Sequence, residues 1–247
     1  MFFLRDAIAA IEAEKPDSDS VFCDVGANIG QHSLFMSRLT TEVHSFEPYA
    51  TVAKRLHQHI ALNEITNISV HPVGLSDKTE ALNFFAPTGR NQAIGSFDED
   101  SVGRGNADMG KLPLVRGDEY FQQQGIRELS IIKIDVEGFE KHVIAGLQQT
   151  LARDRPWVVC EISYGISQSF ASRAELLELF PQDYSLLTFD TRKSDGGKAR
   201  RRGARARLSG HYELIEFSQW RDSGQDDIVA CPTEQLEMVP RENVIGE

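Results

Sequence analysis

Apolar residues cluster in short runs along the chain, separated by stretches with helical spacing. Five continuous runs predict parallel strands buried on both faces; they cover residues 21–25, 43–46, 68–73, 131–136 and 157–162. Helical spacing predicts helices between the runs, at residues 30–39, 51–63, 139–151 and 172–179. This alternation indicates an α/β fold, a doubly wound and mostly parallel sheet with helices on both faces.

The last third of the chain has a different pattern. It predicts strands without a helix between the last two, at residues 184–189, 212–217 and 227–231. Neighbouring strands without a connecting helix favour an antiparallel edge to the sheet. We therefore predict a single domain over residues 1–247, in which residues 1–20 form a helical lead-in and residues 88–111 and 190–210 form flexible loops.

Composition narrows the classes of partner. The net charge of −11 argues against general binding of nucleic acid or of an anionic membrane, whose phosphates would be repelled. No apolar run reaches the ~18–20 residues that span a bilayer, and the first residues lack a signal-peptide pattern. Cys23, Cys160 and Cys231 lack CxxC spacing and predict buried thiols. We expect a soluble, cytoplasmic protein without a membrane span.

One segment departs from this acidic balance. Residues 192–207 contain eight basic residues and one acid, Asp195, with almost no apolar residue. Three roles stay open for this basic insertion: clamping an anionic acceptor, binding nucleic acid, or docking on an acidic partner. A solvated loop is the plainer interpretation, because charge runs are commonly just solvated. No aromatic residues interleave the charges, which argues against base stacking.

The most informative stretch is the turn after the first strand, Asp24-Val-Gly-Ala-Asn-Ile-Gly. Gly26 and Gly30 permit a tight turn and a close ligand approach. Asn28 stands where a dinucleotide-binding turn has its second glycine, so a pyrophosphate is disfavoured. The carboxylate of Asp24 would repel phosphate and attract a cation. The turn therefore predicts a ligand with positive charge and no phosphate.

A second carboxylate extends this prediction. Glu47 ends the second strand, where an acidic residue is placed to accept both hydroxyls of a ribose. A nucleoside with a cationic, phosphate-free tail describes S-adenosyl-L-methionine. The two carboxylates and the glycine turn together therefore predict that molecule as the cofactor.

Four sequence blocks carry a resemblance to a known family. DVGANIGQHSLF, FEP, VGLSD (73–77) and KIDVEGFE (133–140) resemble the FkbM-type S-adenosylmethionine-dependent methyltransferases. The resemblance implies a class I methyltransferase (Rossmann-like) fold, with a seven-stranded sheet whose last strand is antiparallel. It also implies methyl transfer to a hydroxyl of a sugar or natural product.

The resemblance also implies roles for individual residues around the donor. Asp24, Gly26, Asn28 and Gly30 would hold the methionine part, and Glu47 the ribose. Two further residues at the end of the third strand would contact adenine; these are Leu75 and Ser76.

The fourth predicted strand ends in ionisable residues. Period-two alternation places Lys133, Asp135 and Glu137 on one side, at the carboxyl edge that faces the ligand crevice. A sugar hydroxyl must lose its proton during attack, and a nearby carboxylate can accept it. Asp135 is our first candidate for the base or acceptor orienter; Glu137 would share that role and Lys133 would balance the charge. A purely structural ion-pair network stays open.

Two further residues have weaker claims. Glu161 ends the fifth strand on the same rim and would bind acceptor hydroxyls or the donor amino group, or be a solvated strand end. His142 lies one turn into the next helix and is either a second base candidate or a surface histidine. Asp118 precedes EYFQQQ and predicts a helix N-cap.

Metal use and the reaction type complete the predictions. Asp135 and Glu137 are compatible with a magnesium-dependent enzyme, but no third ligand is evident, so we predict a site without metal. We expect O-methylation of a carbohydrate or glycosylated metabolite. N-methylation of a small amine, or a non-catalytic donor-binding module with an anionic partner, are the alternatives.

Overall fold

The structure is a computed structural model that describes residues 1–88, 95–97, 102, 105–166, 168–192, 197 and 210–242. Its helices are α1 (Phe2–Glu14), α2 (Gln31–Met36), α3 (Ala50–Leu62), α4 (Gly117–Gln124), α5 (Glu140–Ala145), α6 (Gln148–Asp154) and α7 (Arg173–Glu178), with a 3₁₀ turn at Thr233–Met238. Its strands are β1 (Val21–Val25), β2 (Glu42–Phe46), β3 (Ile68–His71), β4 (Gly74–Ser76), β5 (Glu80–Pro87), β6 (Asn106–Arg116), β7 (Leu129–Ile134), β8 (Trp157–Tyr164), β9 (Tyr184–Phe189), β10 (Leu214–Glu216) and β11 (Gly224–Pro232).

The main sheet has the strand order β10-β9-β11-β8-β7-β1-β2-β3. Its β3-β2-β1-β7-β8 half is parallel, and β11 inserts antiparallel between β8 and β9. The predicted α/β sheet with a reversed last strand is confirmed. It has eight strands in place of the seven predicted, because the short β10 pairs with the free edge of β9.

Apolar side chains cover both faces of this sheet. On one face α1 packs Phe3, Leu4 and Ile8 against β-strand residues such as Ile131. On the other face, residues of α4 to α7 form a second cluster with Cys23, Ile132 and Val158 among others. Continuous apolar strands therefore have the two-sided burial that their sequence predicted.

The predicted strand at residues 131–136 and the predicted helix at residues 139–151 differ in extent from the sequence pattern. The strand predicted at residues 131–136 ends at Ile134, because Glu137 has φ +52° and turns the chain out of the sheet. The helix predicted at residues 139–151 is divided into α5 and α6, because the backbone of Gly146 lies against the carbonyl group of Ser76.

A second sheet was not predicted. Its strand order is β4-β6-β5, and β6 covers residues 106–116. The prediction of a loop over residues 88–111 is therefore wrong for residues 106–111, which pair with β5. Gly74–Ser76 belongs to this sheet as β4, whereas the sequence predicted that it follows directly from the third strand.

Asp118 has a different role from the predicted one. It lies inside α4, and its buried carboxylate accepts hydrogen bonds from the N–H groups of Gln149 and Thr150, at 2.9 Å each. It therefore caps α6, a helix from a later part of the chain, and not its own helix.

Two other predictions concern a membrane span and the basic insertion. None of the helices in the described residues is long and apolar enough to cross a membrane. The predicted basic insertion at residues 190–210 lies outside the described residues, apart from 190–192, 197 and 210.

Candidate functional site

The turn between β1 and α2 is fixed by the strands on both sides of it. The N–H groups of Gly26 and Ala27 donate to the carbonyl of Phe46 in β2, at 3.1 and 3.0 Å. Gly26 has φ +81°, and a Cβ there would lie 2.0 Å from the carbonyl oxygen of Asp135. This position therefore needs glycine for two reasons, its backbone conformation and its contact with the end of β7.

Gly30 closes the same turn. It has φ +89°, and a Cβ would lie 2.3 Å from a methyl group of Leu56 in α3. Asn28 between the two glycines also has a positive φ, +53°, a conformation that asparagine tolerates better than most residues. The predicted glycine turn is present, with Gly26 and Asn28 at the cleft and Gly30 behind it.

Glu47 lies at the end of β2 with a buried carboxylate. Its two oxygens accept N–H groups of Asn28, at 3.1 Å, and of Tyr49, at 2.8 Å. Burial raises its pKa to about 7, against the effect of these two hydrogen bonds. Each carboxylate oxygen has a second lone pair, so Glu47 can still accept two hydroxyl groups from the cleft that it lines.

Asp24 is more deeply buried than Glu47. It is 1% exposed, its Oδ2 accepts the hydroxyl of Ser33 at 2.6 Å, and Ser33 in turn accepts the hydroxyl of Ser45 at 2.8 Å. Its Oδ1 is buried without a hydrogen-bond partner. Lys133 is its register neighbour on β7. An unpartnered buried carboxylate oxygen fits a cationic ligand group, although Asp24 is not part of the cleft wall.

The cleft opens at the carboxyl ends of β1, β2 and β7 and contains about 810 Å³ of empty space, including the part open to solvent. Parallel sheets commonly bind ligands at this edge. Of the residues predicted from sequence, the cleft wall includes Gly26, Asn28, Glu47, Leu75, Asp135 and Glu137.

Four of the residues predicted for the donor site and for the end of β7 do not line it. Ser76 is fully buried, its hydroxyl bonded to Asp77, so its predicted adenine contact has no support from the cleft geometry. The others, Asp24, Gly30 and Lys133, lie behind the wall.

Aromatic rings form one wall of the cleft, and the sequence did not predict them. Tyr49 lies 5.2 Å from Phe84, which lies 5.4 Å from Phe97, which lies 5.1 Å from Phe139, measured between ring centroids. The hydroxyl of Ser96 donates to the carbonyl of Glu137 at 3.2 Å and holds the Phe97 segment over the cleft. Phe139 lies in the quoted KIDVEGFE block, but nothing in the sequence joins Phe84 to Phe97.

The end of β7 carries the ionisable residues that the sequence singled out. Lys133 donates to Oδ2 of Asp135 at 3.0 Å. Burial lowers the pKa of Lys133, but the charges of Asp24 and Asp135 outweigh it and the net pKa is raised. Lys133 therefore remains a cation. Glu137 lies in the turn and not in the strand, and burial together with Asp135 raises its pKa.

Glu140 holds this turn in place and was missed as a functional residue. Its Oε1 accepts the N–H groups of Gly138, at 2.9 Å, and Val136, at 3.3 Å, while Oε2 is buried without a hydrogen-bond partner. Burial raises its pKa to about 7. The last residue of KIDVEGFE was the available signal, since a carboxylate after a glycine turn can bind the turn's amides.

His142 is built into the fold beside the cleft. Its Nδ1 lies 3.1 Å from Oδ1 of Asp77, and its ring stacks on Phe139 with centroids 4.4 Å apart. It is not part of the cleft wall. This geometry favours a role in which His142 supports the ring of Phe139 over the predicted alternative in which His142 is a base.

The described part of the chain contains no preformed metal-binding centre. No group of three or more His, Cys, Asp or Glu side chains there is arranged to hold a metal ion. Asp135 and Glu137 are therefore not joined by a third ligand among these residues.

The strand order and the cleft at its carboxyl edge define the class I methyltransferase fold. A solved structure named methyltransferase FkbM, from Methylobacillus flagellatus, has this fold; it aligns with a TM-score of 0.51 and 15% identity over 87% of this chain and 44% of that one. Residues 24–187 match the family described as the methyltransferase FkbM domain. The chain belongs to that family.

Two curated relatives share part of the sequence. The hexuronic acid methyltransferase AglP of Haloferax volcanii is 28% identical over 62% of this chain and 60% of its own length. The 2-O-methyltransferase NoeI of Sinorhizobium fredii is 24% identical over 58% of this chain and 62% of its own length. The matched region is therefore about three fifths of either relative.

Proposed function

We propose that the protein transfers a methyl group from S-adenosyl-L-methionine to a hydroxyl group of a carbohydrate or glycosylated metabolite. One observation carries the proposal: a single cleft joins the Gly26 turn, the buried carboxylate of Glu47 and the carboxylate of Asp135, which Lys133 holds from behind the cleft wall. The names of AglP and NoeI, a hexuronic acid methyltransferase and a 2-O-methyltransferase, support a sugar hydroxyl as the acceptor.

The residues of the cleft fit the parts of this donor. Glu47 accepts hydroxyl groups of a ribose, and the aromatic wall from Tyr49 to Phe139 offers faces to a purine. The Gly26 turn admits the amino-acid part without a Cβ in its path. Asp24 and Asp135 favour positive charge nearby. A pyrophosphate would meet these carboxylates, which disfavours a dinucleotide.

The chemistry requires little covalent work from the protein. When bound, the donor supplies a methyl group activated by a sulfonium. The chain then has to hold the acceptor oxygen in line with that carbon and exclude competing water. We assign the orientation of the acceptor hydroxyl to Asp135, whose carboxylate is fixed by Lys133 at 3.0 Å.

Calorimetry with S-adenosylmethionine and S-adenosylhomocysteine tests the donor, and transfer of a labelled methyl group to panels of glycosides and amines tests the acceptor. We expect S-adenosylmethionine and S-adenosylhomocysteine to bind, and NAD and ATP not to bind. Label on glycosides but not on amines supports O-methylation. Binding of NAD or ATP in the cleft without binding of S-adenosylhomocysteine would contradict the proposal.

Asp135→Asn separates hydroxyl from amine transfer. The amide keeps the size of the side chain but loses the charge that Lys133 holds, so we expect hydroxyl methylation to slow at least about tenfold. Affinity for S-adenosylhomocysteine, whose sulfur is neutral, serves as the control and should change by less than about threefold. An unchanged kcat on a hydroxyl acceptor would show that Asp135 does not orient it.

A further inference from the structure

Glu161 lies beyond the donor cleft, on the side of Asp135 that faces away from Glu47. Lys133 of β7 pairs in register with Val159 of β8. Two residues further along the chain in each case, Asp135 follows the end of β7 and Glu161 lies within β8, and their charges interact. Asp227 of β11 lies directly across from Glu161 in the antiparallel pair. Three neighbouring strands therefore carry a carboxylate each at the same edge.

One oxygen of Glu161 is fixed and the other is available. Gln225 of β11 donates from Nε2 to Oε1 of Glu161 at 2.7 Å and contacts the hydroxyl of Ser163 at 3.2 Å. Oε2 makes no hydrogen bond with any of the residues that the structure describes. Asp135 differs in the charge of its partner, because its Oδ2 accepts the ammonium cation of Lys133 at 3.0 Å, whereas Glu161 accepts a neutral amide.

In the described part of the chain, the charges that act on Glu161 are acidic. They belong to Asp135 and Glu137 after β7, Asp227 on β11 and Glu140 on α5. Burial, followed by the charges of Asp135 and Asp227, raises the pKa of Glu161 to about 8. A carboxylate that binds protons this strongly is a better base near neutral pH than an ordinary one. Lys133 pairs with Asp135, and Glu161 forms no ion pair with a lysine or arginine among the residues that the structure describes.

We propose that Glu161 is the catalytic base, and that its Oε2 takes the proton of the acceptor hydroxyl; this inference rests on the proposed function. The hydroxyl oxygen forms the new bond to the methyl carbon as the carbon–sulfur bond breaks, and the electron pair of that bond passes to sulfur. The hydroxyl proton moves to Glu161 and then to solvent. Asp135 orients the acceptor and Gln225 positions the base.

The first test compares pH profiles of kcat/KM for labelled-methyl transfer. The wild-type profile should rise with pH up to about 8, because only ionised Glu161 accepts the proton. In Glu161→Gln we expect kcat to fall about 10²–10⁴-fold with little change in KM, and the rise to disappear. Glu161→Asp should recover part of the rate together with the rise.

Gln225→Ala and Glu178→Gln are the matched controls. The first removes the hydrogen bond that favours ionised Glu161, so the rise should remain but move to higher pH. The second makes the same chemical change at an exposed position on α7 and should leave rate and profile unchanged. A Glu161→Gln variant that keeps the wild-type kcat and pH profile would overturn the assignment of the base and leave the methyltransferase proposal intact.

A second test needs no acceptor. S-adenosylmethionine carries a positive sulfonium and S-adenosylhomocysteine a neutral sulfur, so ionised Glu161 should favour the first. By calorimetry, the affinity ratio of the two should increase between pH 6 and pH 9 in the wild type and change less in Glu161→Gln. Equal changes in both proteins would overturn the inference. Failure of the wild type to bind either molecule would instead refute the proposed function.

Discussion

At the scale of single residues, Gly26 connects the turn between β1 and α2 to the end of β7. Replacing it with alanine places a Cβ 2.0 Å from the carbonyl oxygen of Asp135 at φ +81°. We expect Gly26→Ala to lower the free energy of unfolding by about 2–4 kcal/mol, and to weaken binding of S-adenosylhomocysteine at least about tenfold. Urea denaturation and calorimetry measure the two effects.

Gly110→Ala is the control for this substitution. Gly110 has φ +88°, close to that of Gly26, but a Cβ there meets nothing within 4 Å. It should cost only the strain of the left-handed backbone, about 1–2 kcal/mol, and leave donor affinity unchanged. If both substitutions have equal effects on stability and binding, the contact with Asp135 is not what requires glycine.

Glu140 links stability to pH. Burial raises its pKa from an ordinary 4.5 to about 7, so the folded protein binds its proton more strongly than the unfolded chain. The contribution of this group to stability is therefore present below pH 4.5 and is lost as the pH rises through 7. Glu140→Gln should gain about 1–3 kcal/mol of unfolding free energy relative to wild type between pH 5 and pH 8.

Urea denaturation at the two pH values checks this. Glu80→Gln, an exposed change at the start of β5, is the control and should follow the wild type at both. A constant difference between Glu140→Gln and the wild type across this range would show that the buried carboxylate does not titrate there.

At the scale of elements, the carboxylate of Asp118 connects α4 to α6. It accepts the N–H groups of Gln149 and Thr150 and the hydroxyl of Thr150, all within 2.9 Å. Asp118→Ala removes these acceptors from the first turn of α6, so we expect a loss of about 1–3 kcal/mol. Thermal unfolding measures it. Asp108→Ala, which removes one exposed acceptor, should cost less than about 0.5 kcal/mol.

Elements with strong local patterns were predictable, and those that depend on distant partners were not. Glu47 and Asp135 follow apolar strands, so the parallel fold places them at the same edge. β6 contains Gly110 and Pro113, which argue against a strand, and it exists because β4 and β5 pair with it. Likewise, the segment of Asp118 does not show that it will meet α6.

Side-chain roles at the site follow the same division. The positions of Gly26 and Glu47 in the cleft follow from a turn and a strand end that the sequence displays. Ser76 does not line the cleft, because β4 belongs to the second sheet and Ser76 is buried there. The aromatic wall could not be predicted, since Phe84 and Phe97 meet through the pairing of Phe85 with Ser96, which the sequence does not show.

At the scale of the whole molecule, donor binding should stabilise the entire domain. Glu47, Asp135 and Phe139 come from separate parts of the chain but line one cleft, so a ligand there binds only the folded protein. At a hundredfold excess over Kd, S-adenosylhomocysteine should raise Tm by about 5–10 °C. Differential scanning calorimetry measures it, with NAD as the control. Equal shifts for both would contradict selective binding.

The proposed donor cleft and the proposed acceptor base lie on different strands of the sheet edge. This has a consequence for how the acceptor preference of such a protein changes. The contact of Gly26 with the carbonyl of Asp135 holds the glycine turn against the end of β7, so little there can vary without damage to the fold. Glu161 and Gln225 lie on β8 and β11, which pair with each other and not with β1. In the methyltransferase that we propose, new acceptor preferences can therefore arise through substitutions on these two strands, while the source of methyl groups stays the same.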